Sequence, residues 1–212
     1  MKRFDVGFAV AGSVMCIIFI TLVNYLTSPG YLWFIYPLLA VLVWPIGLYS
    51  IKNKKHKLLA IVCSTLTIGF LIIENLMESP NYPWSLYAIF PIIWWPTLIF
   101  LGERAKTMPV AWIGSTSIIL YYAILNVLLA PGYPWVIYPA FAVLWWPLSL
   151  YHAQKKTFVS FSMYASLFIS VFFIIVNIIS SPGTIWAVYP IFCVLWWPLS
   201  MYYFVYKRKM ER

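Results

Sequence analysis

One spacing constrains this chain more than any other feature. Asn24, Asn75, Asn126 and Asn177 stand 51 residues apart, and no insertion or deletion breaks the period. Six further series keep the same offset: Ser13, Ser64, Ser115 and Ser166; Pro29, Pro80, Pro131 and Pro182; Trp33, Trp84, Trp135 and Trp186; Tyr36, Tyr87, Tyr138 and Tyr189; Trp44, Trp95, Trp146 and Trp197; Pro45, Pro96, Pro147 and Pro198. Between Trp135 and Tyr151 and between Trp186 and Tyr202, 12 of 17 residues are identical, so the copies arose by duplication. The boundaries fall at 1-54, 55-105, 106-156 and 157-212, the last copy carrying a basic tail.

Each copy holds two apolar runs of about the 20 residues that a helix needs to cross the hydrocarbon of a bilayer. A β-barrel would alternate in polarity over segments of about 10 residues, whereas these runs are apolar on every face. With 64% hydrophobic and only 9% charged residues, the chain is far more apolar than a water-soluble domain. The first run follows Lys2 and Arg3 as a signal peptide would, but no small-residue cleavage site comes before the turn, and its Ser and Asn match three later helices. It is expected to stay in the mature protein.

The net charge of +9 reads as topology rather than as a nucleic-acid surface. All 14 Lys and Arg fall at Lys2 and Arg3, Lys52 to Lys57, Arg104 and Lys106, Lys155 and Lys156, and Lys207 to Arg212. The turns around Pro29, Pro80, Pro131 and Pro182 carry none, and by the positive-inside rule they face outward. The expected fold is therefore all-α: a polytopic membrane protein with eight transmembrane helices, arranged as four parallel two-helix repeats, both termini cytoplasmic. Each hairpin turns at a Ser-Pro-Gly type sequence in which Gly permits an unusual backbone angle. The second copy departs most, with Asn81 for the turn Gly, Ala88 for a Pro, and the added acids Glu74 and Glu78.

The recurring polar residues are the candidate interior positions: Ser13, Asn24, Ser64, Glu74, Asn75, Ser115, Asn126, Ser166 and Asn177. Ser13 and Asn24, 11 residues apart, lie about 20° apart on the helical wheel and so share a face. Such faces avoid lipid: either each Asn caps its own helix end or ties to the neighbouring hairpin, or four faces converge on a substrate or ion path. Glu74 is the one acid expected inside a span, where a carboxylate marks a functional position unless it snorkels to the headgroups. Pro45, Pro96, Pro147 and Pro198 each free the carbonyl four residues earlier, Val41 in the first copy, and are expected kinks. Tyr36, Ala40 and Gly47, with their small counterparts Ala142, Ser149, Cys193 and Ser200, predict a tight packing seam on the even helices. Cys16, Cys63 and Cys193 have no partner at metal-ligand spacing, and His56 and His152 lack the company of a catalytic site, so no metal, cofactor or catalytic residue is expected.

The first copy reads Asn-Tyr-Leu-Thr-Ser-Pro-Gly-Tyr-Leu-Trp-Phe-Ile-Tyr-Pro from Asn24, followed by Trp44 and Gly47-Leu48, and it resembles the bacterial 2TM domain. In that family a two-helix hairpin carries an Asn near the end of helix one, a Pro-x-x-x-Trp turn and a Trp-rich second helix often ending in His. His152 falls where that His would be, and the other three copies lack it. Some family members are fused to histidine kinases or DNA-binding regions, which implies a sensory or anchoring role. Here the cytoplasmic loops are too short for a signalling domain, so a signal would pass to a separate protein. The expectation is a non-enzymatic sensor, scaffold or partner-binding module of the bacterial inner membrane; the alternative is a small transporter or pore lined by the Ser and Asn faces. The partners implied are the lipid bilayer and another membrane or signalling protein, and no nucleic acid.

Overall fold

The computed structural model describes residues 6–207, apart from the side chain of Tyr206. Lys2, Arg3 and the tail from Arg208 to Arg212 lie outside the described residues. The described residues are helical and contain no strand: α1 (Val6–Thr27), α2 (Ile35–Lys52), α3 (His56–Glu78), α4 (Leu86–Leu101), a 3₁₀ turn (Gly102–Lys106), α5 (Met108–Leu129), α6 (Ile137–Lys155), α7 (Phe158–Ser180), α8 (Val188–Met201) and a π-helical turn (Tyr202–Lys207). Among the described residues seven helical segments are long and apolar enough to cross a membrane: Val6–Thr27, Ile35–Lys52, His56–Glu78, Leu86–Lys106, Met108–Leu129, Phe158–Ser180 and Val188–Val205. They are compatible with a multi-pass membrane protein. Helix α6 has 19 residues, but Ser149, His152, Gln154 and Lys155 dilute its apolar content.

The chain divides into two compact units, Met1–Gly102 and Glu103–Arg212. In the first, α1 packs on α2, α2 on α3 and α3 on α4; in the second, α5 on α6, α6 on α7 and α7 on α8. Polarity is reversed relative to a water-soluble bundle. Phe8, Leu26, Val127, Leu128 and Ile178 are exposed, whereas Ser13, Asn24, Ser115, Asn126, Ser162 and Asn177 are buried. That distribution is compatible with an apolar solvent around the helices.

The hairpin turns are fixed by the repeated asparagines. Asn24 donates both amide hydrogens, to the carbonyls of Ser28 and Tyr31 at 2.9 Å each, and its Oδ1 accepts from the N–H of Phe34, also at 2.9 Å. Phe34 is the residue from which α2 starts, so one side chain ties the end of one helix to the start of the next. Asn75 repeats the set on Ser79, Tyr82 and Ser85, Asn126 on Ala130, Tyr133 and Val136, and Asn177 on Ser181, Thr184 and Ala187. The turn glycines Gly30, Gly132 and Gly183 differ from expectation. Among the described residues the one glycine with positive φ is Gly102, so the clasp imposes an ordinary backbone that Asn81 also fits.

The same pairing of helices answers the problem set by proline. Pro45, Pro96, Pro147 and Pro198 lie inside α2, α4, α6 and α8, and each leaves the carbonyl four residues earlier without its helical donor. The repeated serine of the preceding helix fills the place. Ser13 Oγ donates to the Val41 carbonyl at 2.9 Å, Ser64 to Ile92 at 3.4 Å, Ser115 to Val143 at 2.9 Å and Ser166 to Val194 at 3.3 Å.

The packing seam lies on the odd helices, which corrects the expectation of a small-residue seam on the even ones. Ala9, Ala60, Ala111 and Ser162, again 51 apart, are fully buried one turn before the serines. A side chain at Gly12 would come within 3.3 Å of the Trp44 ring, whereas one at Gly47 would meet nothing within 4 Å. Ala40, Ala142, Ser149, Cys193 and Ser200 are exposed. The physical reason is the tryptophans: even helices carry bulky rings, so close approach requires small residues on the partner. Ala111→Leu is therefore expected to destabilise the detergent-purified protein by about 1–3 kcal/mol through overpacking. Ala142→Leu should leave its Tm unchanged, and a larger loss from Ala142→Leu would restore the even-helix seam.

Candidate functional site

With both amide hydrogens of each Asn engaged in its own hairpin, and each Ser hydroxyl donated to a proline-freed carbonyl, these eight buried side chains serve the hairpins that carry them. Ser13, Asn24, Ser64 and Asn75 lie in the first unit, and Ser115, Asn126, Ser166 and Asn177 in the second. Of the nine positions singled out from the sequence, Glu74 alone reaches between hairpins. Its Oε1 accepts a hydrogen bond from the Tyr36 hydroxyl at 2.5 Å, bridging α3 to α2.

Tyr36 has one O–H, and it is donated to Glu74. The 2.9 Å contact between the hydroxyls of Tyr31 and Tyr36 must then run from Tyr31 as donor, so three side chains form a directed chain from the turn to the carboxylate. The Tyr36 ring is held edge-on against Phe70, centroids 5.9 Å apart. The second carboxylate oxygen of Glu74, Oε2, is buried and has no hydrogen-bond partner. Glu74 is thus half-satisfied within a helix long and apolar enough to cross a membrane.

The tyrosine pair does not depend on the acid, since it recurs without one. Tyr82 and Tyr87 join at 2.6 Å and Tyr133 and Tyr138 at 2.7 Å. In the turn, the Tyr133 phenol is held above its ordinary pKa, first by that hydrogen bond and then by burial. The residues matching Glu74 are Val23, Leu125 and Val176, so the second copy alone converts the pair into a polar chain. Compared with family models, with curated proteins and with solved structures, the chain matches none. The functional reading consequently rests on the sequence and the geometry.

Sequence reasoning missed Tyr31, Tyr82 and Tyr133, although all three stand five residues before the repeated tyrosine. His152, expected to lack catalytic company, is buried near the C-terminal end of α6, its Nδ1 2.7 Å from Thr157 Oγ1 and its ring between Tyr151, Phe161 and Tyr164. Among the described residues no three His, Cys, Asp or Glu side chains gather as a metal site would require.

A half-satisfied buried carboxylate is costly in stability, and a valine replacing it would follow the first and fourth copies. Glu74→Val is expected to raise Tm by about 2–4 °C, the shift that about 1 kcal/mol produces in a chain of this size. A drop in Tm would make Glu74 a structural tie between α2 and α3.

Proposed function

We propose that this chain is a multi-pass protein of the bacterial inner membrane, built from four hairpins inserted in the same sense, and that it works as a non-enzymatic sensor or scaffold for a partner protein. All eight α-helices cross the bilayer in this reading, and both termini are cytoplasmic. Its topology is supported by the segregation of every Lys and Arg to one set of loops. At that same end, Lys55 lies over the Tyr49 ring and Lys155 over the Tyr151 ring, a pairing suited to a headgroup region.

The observation that carries the functional reading is the use of the repeated polar groups. A path for solutes needs donors and acceptors facing its lumen. Here the Asn and Ser groups are engaged by backbone of their own hairpins, so they make hairpins rigid rather than lining a path. The polar chain Tyr31–Tyr36–Glu74 is the place where a second hairpin reads the first, at the end of α3 that faces outward in this topology. The resemblance to the bacterial 2TM domain supports the same direction, since a sensory hairpin needs a partner to receive its signal. Short cytoplasmic loops make that partner a separate chain.

Single cysteines at positions 55 and 131, in a background lacking Cys16, Cys63 and Cys193, test the topology. A membrane-impermeant maleimide should label position 131 in intact cells and position 55 only after permeabilisation. The functional arm uses proteoliposomes: proton, sodium and potassium fluxes should match those of protein-free vesicles. Flux that falls on replacing the four Asn by Leu, in protein that still folds, would establish the transporter instead.

A further inference from the structure

The second unit carries a cavity that none of the preceding roles uses. It lies between α5, α6 and α7, has a volume of about 690 Å³, and is walled by apolar and aromatic side chains that include Trp112, Leu144, Leu148 and Phe168. That size falls within the range of about 300–1,000 Å³ typical of ligand sites. Pro147, fully buried, forms part of its wall.

This cavity does not end in apolar surface. A second space, about 380 Å³, shares Leu148, Tyr151 and Tyr164 with the first and is lined further on by His152, Lys155, Thr157 and Ser160. Lys155 is positioned there by the Tyr151 side chain, to whose hydroxyl its Nζ donates at 2.8 Å while lying 4.5 Å from the ring centroid. Among the described residues the one ion pair is Lys106 with Glu103, so no carboxylate neutralises Lys155. The composite site is a long apolar slot with a hydroxyl-rich, positively charged mouth. Its equivalent positions 102 residues earlier read Val10 for Trp112, Leu66 for Phe168 and Ser50 for His152, so the first unit keeps a Lys–Tyr pair, Lys55 on the Tyr49 hydroxyl at 2.9 Å, without the rings of Trp112, Phe168 and His152.

We propose that this slot binds an anionic phospholipid drawn from the leaflet on the Lys155 side, its acyl chain between α5, α6 and α7 and its phosphate against Lys155. Basic pockets between membrane helices hold such headgroups, whereas a slot with a neutral mouth would take any lipid. The proposal rests on the membrane reading but not on the sense of insertion, which the cysteine labelling decides separately.

The test uses the full chain purified in detergent and titrated with phosphatidylglycerol or phosphatidylcholine of identical acyl chains, bound lipid being read by native mass spectrometry and by thermal unfolding. Phosphatidylglycerol should bind about fivefold more tightly, the increment of one cation at a lipid phosphate. Lys155→Gln should abolish that preference, weakening phosphatidylglycerol more than phosphatidylcholine, whose choline already neutralises its phosphate, while Lys156→Gln keeps the preference. Leu148→Trp, with Leu144→Trp as a second filling variant, should weaken both lipids, and inorganic phosphate alone should not shift Tm. Equal binding of the two lipids by the wild-type chain, or a preference that survives Lys155→Gln, would overturn the proposal. Retention of full affinity by folded filling variants, or stabilisation by free phosphate, would also overturn it.

Discussion

A backbone carbonyl without a donor is tolerable in water and costly in hydrocarbon, and this chain creates one in every copy. Pro45, Pro96, Pro147 and Pro198 each remove the bond that would have closed on the residue four earlier, and the Ser of the preceding helix replaces it. A serine hydroxyl on one helix and a proline on the next therefore cannot be varied independently. Because the bond runs between helices, it fixes how far α1, α3, α5 and α7 may slide or rotate against their partners. The Asn clasp then sets the turn, and the fully buried Ala9, Ala60, Ala111 and Ser162 allow the close approach that both devices need. Hydrogen bonds between membrane helices contribute about 1 kcal/mol or less each, so specificity of register, more than raw stability, is what the repeated serine supplies.

Once the repeated Asn and Ser satisfy each turn and each proline-freed carbonyl, differences between copies are free to acquire other roles. Glu74 is the clearest case. A tyrosine pair recurs in three copies and is a directed chain in one, where the second copy has a carboxylate and the others hold Val or Leu. Its unpartnered buried oxygen is the kind of local conflict that a purely structural position would lose. The slot beneath Lys155 is a second departure, made where Trp112, Phe168 and His152 of the second unit stand in place of Val10, Leu66 and Ser50 of the first.

The helices were legible because an apolar run of about 20 residues has few alternatives, and the period because 51 is kept without interruption. The small-residue seam was assigned to the wrong helix of each pair. Ala40 and Gly47 have the right spacing, but spacing alone does not say which face meets a neighbour, and the bulk of Trp44 sends the close contact to Gly12. Pro45 was read as freeing the Val41 carbonyl and Ser13 as seeking a partner, yet their union is a tertiary contact across 28 residues that no local pattern encodes. Glu74 stood out by charge alone, whereas Tyr31 and Tyr36 look like interfacial anchors until the hairpins are packed. Gly30 was expected to need a special backbone angle, and the Asn24 clasp removes that need.

The most direct test is a double-mutant cycle on Ser115 and Pro147, measured by reversible unfolding of the purified chain in detergent. If the serine acts by capturing the carbonyl that proline frees, Ser115→Ala should cost about 1 kcal/mol in the presence of Pro147. In the Pro147→Ala background the restored N–H at position 147 takes over the Val143 carbonyl, and the same substitution should cost less than about 0.3 kcal/mol, within the error of additivity. Equal losses in the two backgrounds would contradict the account and leave Ser115 as a small packing residue with no tie to the proline.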